Sequence, residues 1–382
     1  MEMKMEDLRT ALVRAIKINA KMSNLCEITL VAKPQILEIH KTNGATYSCS
    51  KVQIENGEEF RMVIDGFRLH GLIKDSSNET ISIKKNGDKG LQIKFAKVNA
   101  KIPQLAMEFM LLTETSWSKC DNMVVGAATE LKNVLRQALA FVADNKDTRT
   151  YLRGVSLEKN ARTGTLQAIA TNSYYLTVCE SGIVLDEWPK KSVIVPTEIT
   201  QAVVSALAGG QDKEVKIGVA KNRESHSGIC FEMGDYHLLC PLIDLPFPKW
   251  KSIMPRNHLF SAKVNAAAFS AAIKRIGNFA EGEDGFADVN LDFAAQKMLV
   301  EDAAIVNDEF SLEEVPLETS TISNTAYHWR GKFNAKLVGT ALAAASDTEV
   351  DCHFDVTDET ANKGTLLLSG DGWKSIIMPK NP

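Results

Sequence analysis

Residues 250–255 read Trp-Lys-Ser-Ile-Met-Pro, and residues 373–379 read Trp-Lys-Ser-Ile-Ile-Met-Pro. The second stretch has one additional isoleucine and lies about one third of the 382-residue chain beyond the first. A short echo of this kind can arise by chance, so the surrounding sequence decides whether it marks a repeated fold. Other features recur with the same period.

Three amphipathic helices are predicted near the starts of successive thirds. Their apolar residues follow the i, i+3, i+4, i+7, i+8 spacing that places side chains on one face of an α-helix. The stripes consist of Leu8, Ala11, Leu12, Ala15 and Ile16 in the first helix, Leu131, Val134, Leu135, Ala138, Leu139 and Val142 in the second, and Phe269, Ala272, Ile273, Ile276, Gly277 and Ala280 in the third. These helices indicate a unit that occurs three times.

Each predicted helix is followed by strand-like runs, a second helix and further strands. The first runs span 28–37, 155–170 and 289–300; the second helices span 65–74, 197–208 and 334–345; the closing strands span 79–83 and 91–95, 214–219 and 228–233, and 349–356 and 365–368. Strands joined by short turns favour α+β units over βαβ crossovers. We expect three such domains at 1–121, 122–256 and 257–382, and the lack of long Pro- or Gly-rich linkers indicates that they are held in an arc.

Composition excludes several classes of protein. With 45% hydrophobic and 24% charged residues, the chain has the balance of a globular protein, and no apolar run reaches membrane-spanning length. The N-terminus lacks the apolar core of a secretory signal, and the seven scattered cysteines fit neither a disulfide framework nor a CxxC metal site. We therefore expect a cytoplasmic protein without metal or cofactor, and the net charge of -4 confines any DNA-binding surface to local patches.

Motifs of enzymatic sites are missing from the sequence. It contains no GxxxxGK[ST] loop, no GxGxxG, no HExxH and no GxSxG, and its acidic clusters fall at expected loops. We therefore expect no catalytic residues.

Several motifs, in this order and spacing, resemble the β subunit of bacterial DNA polymerase III, the β sliding clamp, over essentially the whole chain. They are Tyr-Leu-Arg-Gly-Val at 151–155, Ala-Thr-Asn-Ser-Tyr-Tyr-Leu-Thr-Val-Cys at 170–179, Ser-Val-Ile-Val-Pro at 192–196, Phe-Pro-Lys-Trp at 247–250 and Ile-Met-Pro at 377–379. The first third matches mainly through its helix and nearby segments. Asn172-Ser173 stands where the family commonly has Asp-Gly, and Tyr174 and Tyr175 stand where it has His and Arg.

The resemblance implies three repeated DNA-clamp domains in an arc, with helices on the inner face and sheets on the outer face. Two subunits would close head to tail into a ring around duplex DNA, and Phe279 would lie at the dimer interface. The implied function is that of a non-catalytic processivity factor. Its partners would be double-stranded DNA, bound without sequence preference, a second copy of the chain, and the polymerase subunit and clamp loader, bound through short peptide motifs.

Basic side chains off the three apolar stripes are candidates for contacts with DNA phosphates. These residues are Arg9, Arg14, Lys17, Lys132, Arg136, Lys274 and Arg275. The resemblance adds Lys21, Arg149 and Tyr151, which fall in loops where the family contacts DNA. It also implies a groove for apolar peptides lined by Leu152, Thr171, Tyr175, Leu176, Pro248, Ile253, Ile377, Met378 and Pro379.

Two other functions remain open from the sequence. One is an auxiliary or mobile-element scaffold with the clamp fold, which recruits repair or transposition proteins. The other, from a different class, is a multidomain cytosolic enzyme with a cleft between α+β domains. A ring-shaped dimer would favour the processivity factor and the clamp-like scaffold over the enzyme.

Overall fold

A computed structural model describes residues 1–18, 25–77, 79–106, 120, 123–191, 193–209, 213–222, 225–255, 260–279, 288–293, 297–302, 311–320, 329–344, 348–355 and 365–379. The chain divides into two compact units. The first unit contains residues 1–132 and 182–244, and the second contains residues 133–181 and 245–382. The three domains expected from the sequence stay a prediction.

Helices and strands in the described residues follow a regular order. The helices are α1 (Met5–Ile16), α2 (Gly66–Ile73), α3 (Ala128–Leu139), α4 (Thr197–Ala206), α5 (Ala266–Phe279) and α6 (Ala335–Ala344). The strands are β1 (Glu2–Lys4), β2 (Glu27–Ala32), β3 (Ile36–Thr42), β4 (Tyr47–Gln53), β5 (Phe60–Asp65), β6 (Thr80–Lys85), β7 (Gly90–Phe95), β8 (Val98–Pro103), β9 (Val124–Ala127), β10 (Gly154–Lys159), β11 (Thr165–Thr171), β12 (Tyr175–Val184), β13 (Val193–Pro196), β14 (Glu214–Asn222), β15 (Ser225–Met233), β16 (Tyr236–Pro241), β17 (Phe260–Asn265), β18 (Asp288–Phe293), β19 (Lys297–Asp302), β20 (Leu312–Ser320), β21 (Trp329–Asn334), β22 (Glu349–Asp355), β23 (Thr365–Gly370) and β24 (Trp373–Ile377). Short 3-10 helices cover Thr150–Leu152, Leu207–Gly209 and Trp250–Ser252.

This order contains one motif six times. A strand leads directly into a helix, and three strands follow that helix, from β1-α1-β2-β3-β4 through β21-α6-β22-β23-β24. We call each β-α-β-β-β set a half-repeat. The α+β fold and the two helices expected in each third are confirmed, and the period found in the sequence consists of two half-repeats.

Pairing between the last strands of half-repeats extends the sheets of both units. In the first unit, an eight-stranded sheet has the order β5-β2-β3-β4-β16-β15-β14-β9, beside a four-stranded sheet β1-β6-β7-β8. In the second unit, the strands of one sheet follow the order β10-β11-β12-β24-β23-β22-β17-β20-β19-β18-β21. The β4–β16 and β12–β24 pairs each join strands from different expected domains. Hydrogen-bonded ladders therefore cross the expected boundaries, which explains why the chain divides into two units.

The core of the first unit shows how the sequence pattern produces this layering. Leu8 and Leu12 on α1 are fully buried, as are Leu37 and Ile39 on β3. Burying one such side chain contributes about 1.5–3 kcal/mol. Because strand side chains alternate between faces, the neighbouring polar residues of β3 lie on the opposite face of the sheet. No helix in the described part of the chain is long and apolar enough to span a bilayer.

Candidate functional site

The hairpin between β11 and β12 holds an exposed aromatic side chain. The Asn172 side-chain oxygen accepts hydrogen bonds from the backbone amides of Tyr174 (3.0 Å) and Tyr175 (3.2 Å), which closes the turn. Ser173 has φ of 82°, in the left-handed region that favours glycine. The turn leaves Tyr174 67% exposed. Serine is therefore strained at this position.

Strand β24 places a second exposed apolar side chain beside this turn. Tyr175 pairs with Ile377 in the ladder, and the backbone amide of Met378 donates to the Tyr174 carbonyl at 2.9 Å. Met378 is 46% exposed. Tyr174 and Met378 therefore lie side by side on the surface of the second unit.

Tyr175 has a supporting position beneath this surface. Its hydroxyl donates to the Ala140 carbonyl at 3.0 Å, and its ring meets the Phe141 ring edge-on with centroids 4.7 Å apart. Burial raises the pKa of Tyr175, so the hydroxyl stays protonated as a donor. Thr171 also supports the hairpin, because its hydroxyl donates to the Tyr175 carbonyl at 2.8 Å.

The other residues expected in the groove divide by exposure. Leu152, Leu176 and Ile377 are buried, and Pro248 and Pro379 are half-buried.

Ile253 is 57% exposed and follows a short helix that is anchored through Trp250. The Trp250 indole nitrogen donates to Glu158 on β10 at 3.3 Å, and the Lys251 ammonium lies 5.3 Å from the Trp250 ring centroid. The most exposed apolar residues of the groove are thus Ile253, Met378 and Tyr174, and Tyr174 was not expected from the sequence. Tyr174 is exposed because it lies at the tip of the turn between β11 and β12.

Arg149 connects the expected DNA-contacting loop to the hairpin. Its guanidinium binds Asp147 at two points (2.7 and 3.0 Å) and donates to the Ser173 hydroxyl at 2.6 Å. The hydrogen bonds from Arg149 lower the pKa of Asp147 to about 2. Tyr151 and Tyr174 lie near enough to influence Arg149 electrostatically. The loop expected to contact DNA and the groove expected to bind peptides are therefore adjacent.

Two arginines of α1 bind within the protein. Arg9 donates to the carbonyls of Ile73 (3.2 Å) and Ser76 (2.6 Å) at the end of α2, where helix carbonyls lack partners. Arg14 is buried, forms an ion pair with Asp235 at 2.8 Å and lies 5.0 Å from the Tyr236 ring centroid. Both side chains fix α1 against neighbouring elements.

The remaining basic residues of the helices lie closer to solvent. Lys17 is exposed and donates to the Ser205 hydroxyl of α4. Arg136 and Lys274 are exposed, and Lys132 is half-buried. Arg275 is exposed and forms a two-point ion pair with Glu313, with one nitrogen–oxygen distance of 2.8 Å.

Two expected site residues have no described side chain. Lys21 lies outside the described residues. Phe279 ends helix α5, but its side chain is also outside the described part.

Comparisons with known proteins find β sliding clamps. The family described as DNA polymerase III beta subunit, central domain, matches residues 127–249. The beta sliding clamp of Rickettsia bellii is 22% identical over 344 residues, covering 87% of this chain and 86% of the relative.

Solved structures show the same fold. The sliding clamp of Pseudomonas aeruginosa bound to griselimycin superposes with a TM-score of 0.85 at 19% identity, covering 100% of this chain and 99% of that one. The DNA polymerase III β subunit of Thermotoga maritima gives 0.84 at 17% identity, with 100% and 99% coverage. The chain is therefore similar to β sliding clamps over most of its length, and its residues 127–249 match the central domain of the DNA polymerase III β subunit.

Proposed function

We propose that this chain is a DNA sliding clamp, a non-catalytic processivity factor that encircles duplex DNA in the cytoplasm and tethers a DNA polymerase. The observation that carries the proposal is the alignment with a beta sliding clamp over 87% of the chain. The half-repeat architecture agrees with it. No chemistry on the DNA is required, because a closed ring retains DNA by topology.

Contacts with DNA rest on exposed cations of the helices and adjoining loops. Phosphate neutralisation is independent of sequence, and a few dispersed contacts leave the ring free to slide. The proposed contacts are Lys17, Lys21, Lys132, Arg136, Arg149, Tyr151, Lys274 and Arg275. Arg9 and Arg14 are left out because their guanidinium groups bind within the protein. Arg149 and Arg275 must exchange a carboxylate for a phosphate, so each adds less affinity than an unpaired cation.

Ring closure is proposed to use the last strands of two half-repeats. These are the two that do not pair with the last strand of another half-repeat within the chain. Strands β4 and β16 pair, and β12 and β24 pair, which leaves β8 and β20. About half of the residues in each strand are exposed. In the described residues β8 pairs only with β7, whereas β20 pairs with β19 over 312–316 and with β17 over 317–320, so the second side of 312–316 is the part of β20 proposed to pair with another copy. Pairing β8 of one copy with β20 of the other would cover both and form a closed dimer.

Charge supports this choice of strands. Lys101 is exposed on β8, whereas Glu318 is exposed on β20. Lys101→Glu should therefore convert dimer to monomer, measured by light scattering or sedimentation. Lys84→Glu, at another exposed position on β6 of the same sheet, is the matched control and should leave the dimer intact.

The partner site is proposed to be the Tyr174–Met378 surface with Ile253 and the buried residues beneath it. An extended peptide with apolar side chains can pack on Tyr174 and Met378, and the adaptable Met378 side chain suits several partners. We propose that the polymerase subunit and the clamp loader bind here through short peptide motifs.

Retention on DNA tests the function directly. The protein, loaded on a nicked circular plasmid by a clamp loader, should remain bound through gel filtration and should be released when the plasmid is linearised. Equal retention on circular and linear DNA would contradict encirclement. A monomer without retention on either form would contradict the proposal as a whole.

A further inference from the structure

The hairpin of β15 and β16 places a cysteine, a glutamate and a histidine on one face of the eight-stranded sheet. Glu232 pairs directly with His237, and Cys230 lies two residues before Glu232, so all three side chains project to the same side. Their candidate ligand atoms all lie within 4.8 Å of one another. The sequence does not reveal this cluster, because His237 lies seven positions after Cys230, on the other strand of the hairpin.

The distances within the cluster suit a metal ion. The Cys230 sulfur lies 3.5 Å from Nε2 of His237. A tetrahedral zinc ion with Zn–S and Zn–N bonds of about 2.3 and 2.0 Å separates these two ligand atoms by about 3.5 Å. On the other side of the ring, Nδ1 of His237 lies 3.6 Å from the Glu232 carboxylate. A carboxylate beside the second nitrogen is the usual way in which proteins orient a metal-binding histidine.

A second cysteine reaches the same place from another part of the first unit. Gly218 pairs with Cys230 in the β14–β15 ladder, and a Cβ atom added at Gly218 would lie 3.0 Å from the Cys120 Cβ. The missing side chain at Gly218 therefore makes room for the side chains of Met123 and Cys120. The Cys120 thiol hydrogen-bonds to the Cys230 thiol. A second sulfur atom therefore lies beside that of Cys230. Because the cluster whose ligand atoms all lie within 4.8 Å of one another consists of Cys230, Glu232 and His237, the Cys120 side chain has to turn toward His237 to join it.

We propose that Cys120, Cys230 and His237 bind one Zn²⁺ ion, with Glu232 orienting the imidazole and water completing the coordination. Thiolate and imidazole ligands select zinc over magnesium or calcium. Each thiol releases its proton when its sulfur binds the metal, so two thiolates balance the two positive charges. His237 and Glu232 are partly exposed, which gives the ion a path to the buried Cys230.

Cobalt binding tests the site with the full chain. Reduced protein treated with chelator should take up one Co²⁺ and show thiolate-to-cobalt charge-transfer absorption together with tetrahedral d–d bands, which Zn²⁺ should abolish. His237→Gln should lose this binding, and Glu232→Gln should weaken it about 10–100-fold. His70→Gln, on α2 of the same unit, is the matched control and should bind like wild type.

Cobalt uptake by the wild type and by single variants would support or overturn the zinc site. Because Cys230 is buried, Cys230→Ser can fail to fold, whereas the partly exposed His237 supplies a variant whose folding is checked by circular dichroism. Reduced wild-type protein that takes up no Co²⁺, or uptake that survives His237→Gln, overturns the site. Loss of uptake when a Cys120–Cys230 disulfide forms in air, with recovery on reduction, supports the two sulfur ligands. None of these outcomes depends on DNA binding.

Discussion

Replacing Arg14 with glutamine should destabilise the protein and leave DNA binding unchanged, whereas Arg136→Gln should do the opposite. The Arg14 side chain is 6% exposed and binds Asp235 at 2.8 Å, while its guanidinium lies over the Tyr236 ring. Glutamine retains part of the stem but loses the charge. Arg136 lies on the exposed face of α3, where a phosphate can reach it.

The expected loss at Arg14 follows from these contacts. A hydrogen bond between charged groups contributes about 1.5–3 kcal/mol, and a cation–π contact contributes about 0.5–2 kcal/mol. Asp235 is 51% exposed, so water can solvate its carboxylate after the substitution. The net cost should therefore be about 2 kcal/mol, towards the lower end of the combined range.

Two assays separate the roles of Arg14 and Arg136. Urea unfolding should show a lower midpoint for Arg14→Gln and the wild-type midpoint for Arg136→Gln. DNA binding measured against salt concentration should lose about 0.9 from the logarithmic slope for the one phosphate contact removed by Arg136→Gln. A wild-type urea midpoint for Arg14→Gln, or a reduced salt slope for this variant, would refute the reasoning.

Three further predictions concern the hairpin and its neighbours. Ser173→Gly should be more stable than Ser173→Ala by about 1–2 kcal/mol in urea unfolding, because only glycine adopts the left-handed backbone without strain; equal midpoints would contradict this. The folded pKa of Asp147 is lowered from 3.8 to about 2, so its ion pair is fully present above pH about 4 and is lost as pH falls through about 2. An NMR titration midpoint near 4 for its carboxyl carbon would be inconsistent with the pair. Tyr174→Ala and Met378→Ala should each weaken a clamp-binding peptide by at least about fivefold in fluorescence anisotropy, while the exposed-surface control Val125→Ala should have no effect; unchanged affinity in both groove variants would remove the surface from the site.

Local patterns were sufficient for the secondary structure. The stripe of Leu8 and Leu12 predicts α1 because residues three and four apart share a helix face, and α1 spans Met5–Ile16. Strand-like runs on both sides of the turn at 160–164 predict β10 and β11. Both signals arise within a few residues of the chain. The three-part repeat follows because it is a recurrence of the same local signals.

Exposure within these elements depends on distant residues. Arg14 and Lys17 both lie off the apolar stripe of α1, yet Arg14 is buried because Asp235 and Tyr236 approach it from 221 residues or more along the chain. Lys17 remains exposed on the same helix. Helical periodicity defines the face that meets the core, but it does not reveal which neighbour covers the other face.

The sequence by itself determined the class of fold, the positions of the helices and the family resemblance, because spacing and motif order are properties of the chain. Tertiary structure decided which side chains meet. Pairing of β12 with β24 places Tyr174 beside Met378, and the β15–β16 hairpin brings Cys230 to His237. The physical reason is strand register: a ladder fixes neighbours across strands, and the linear pattern of each strand alone is compatible with many partners.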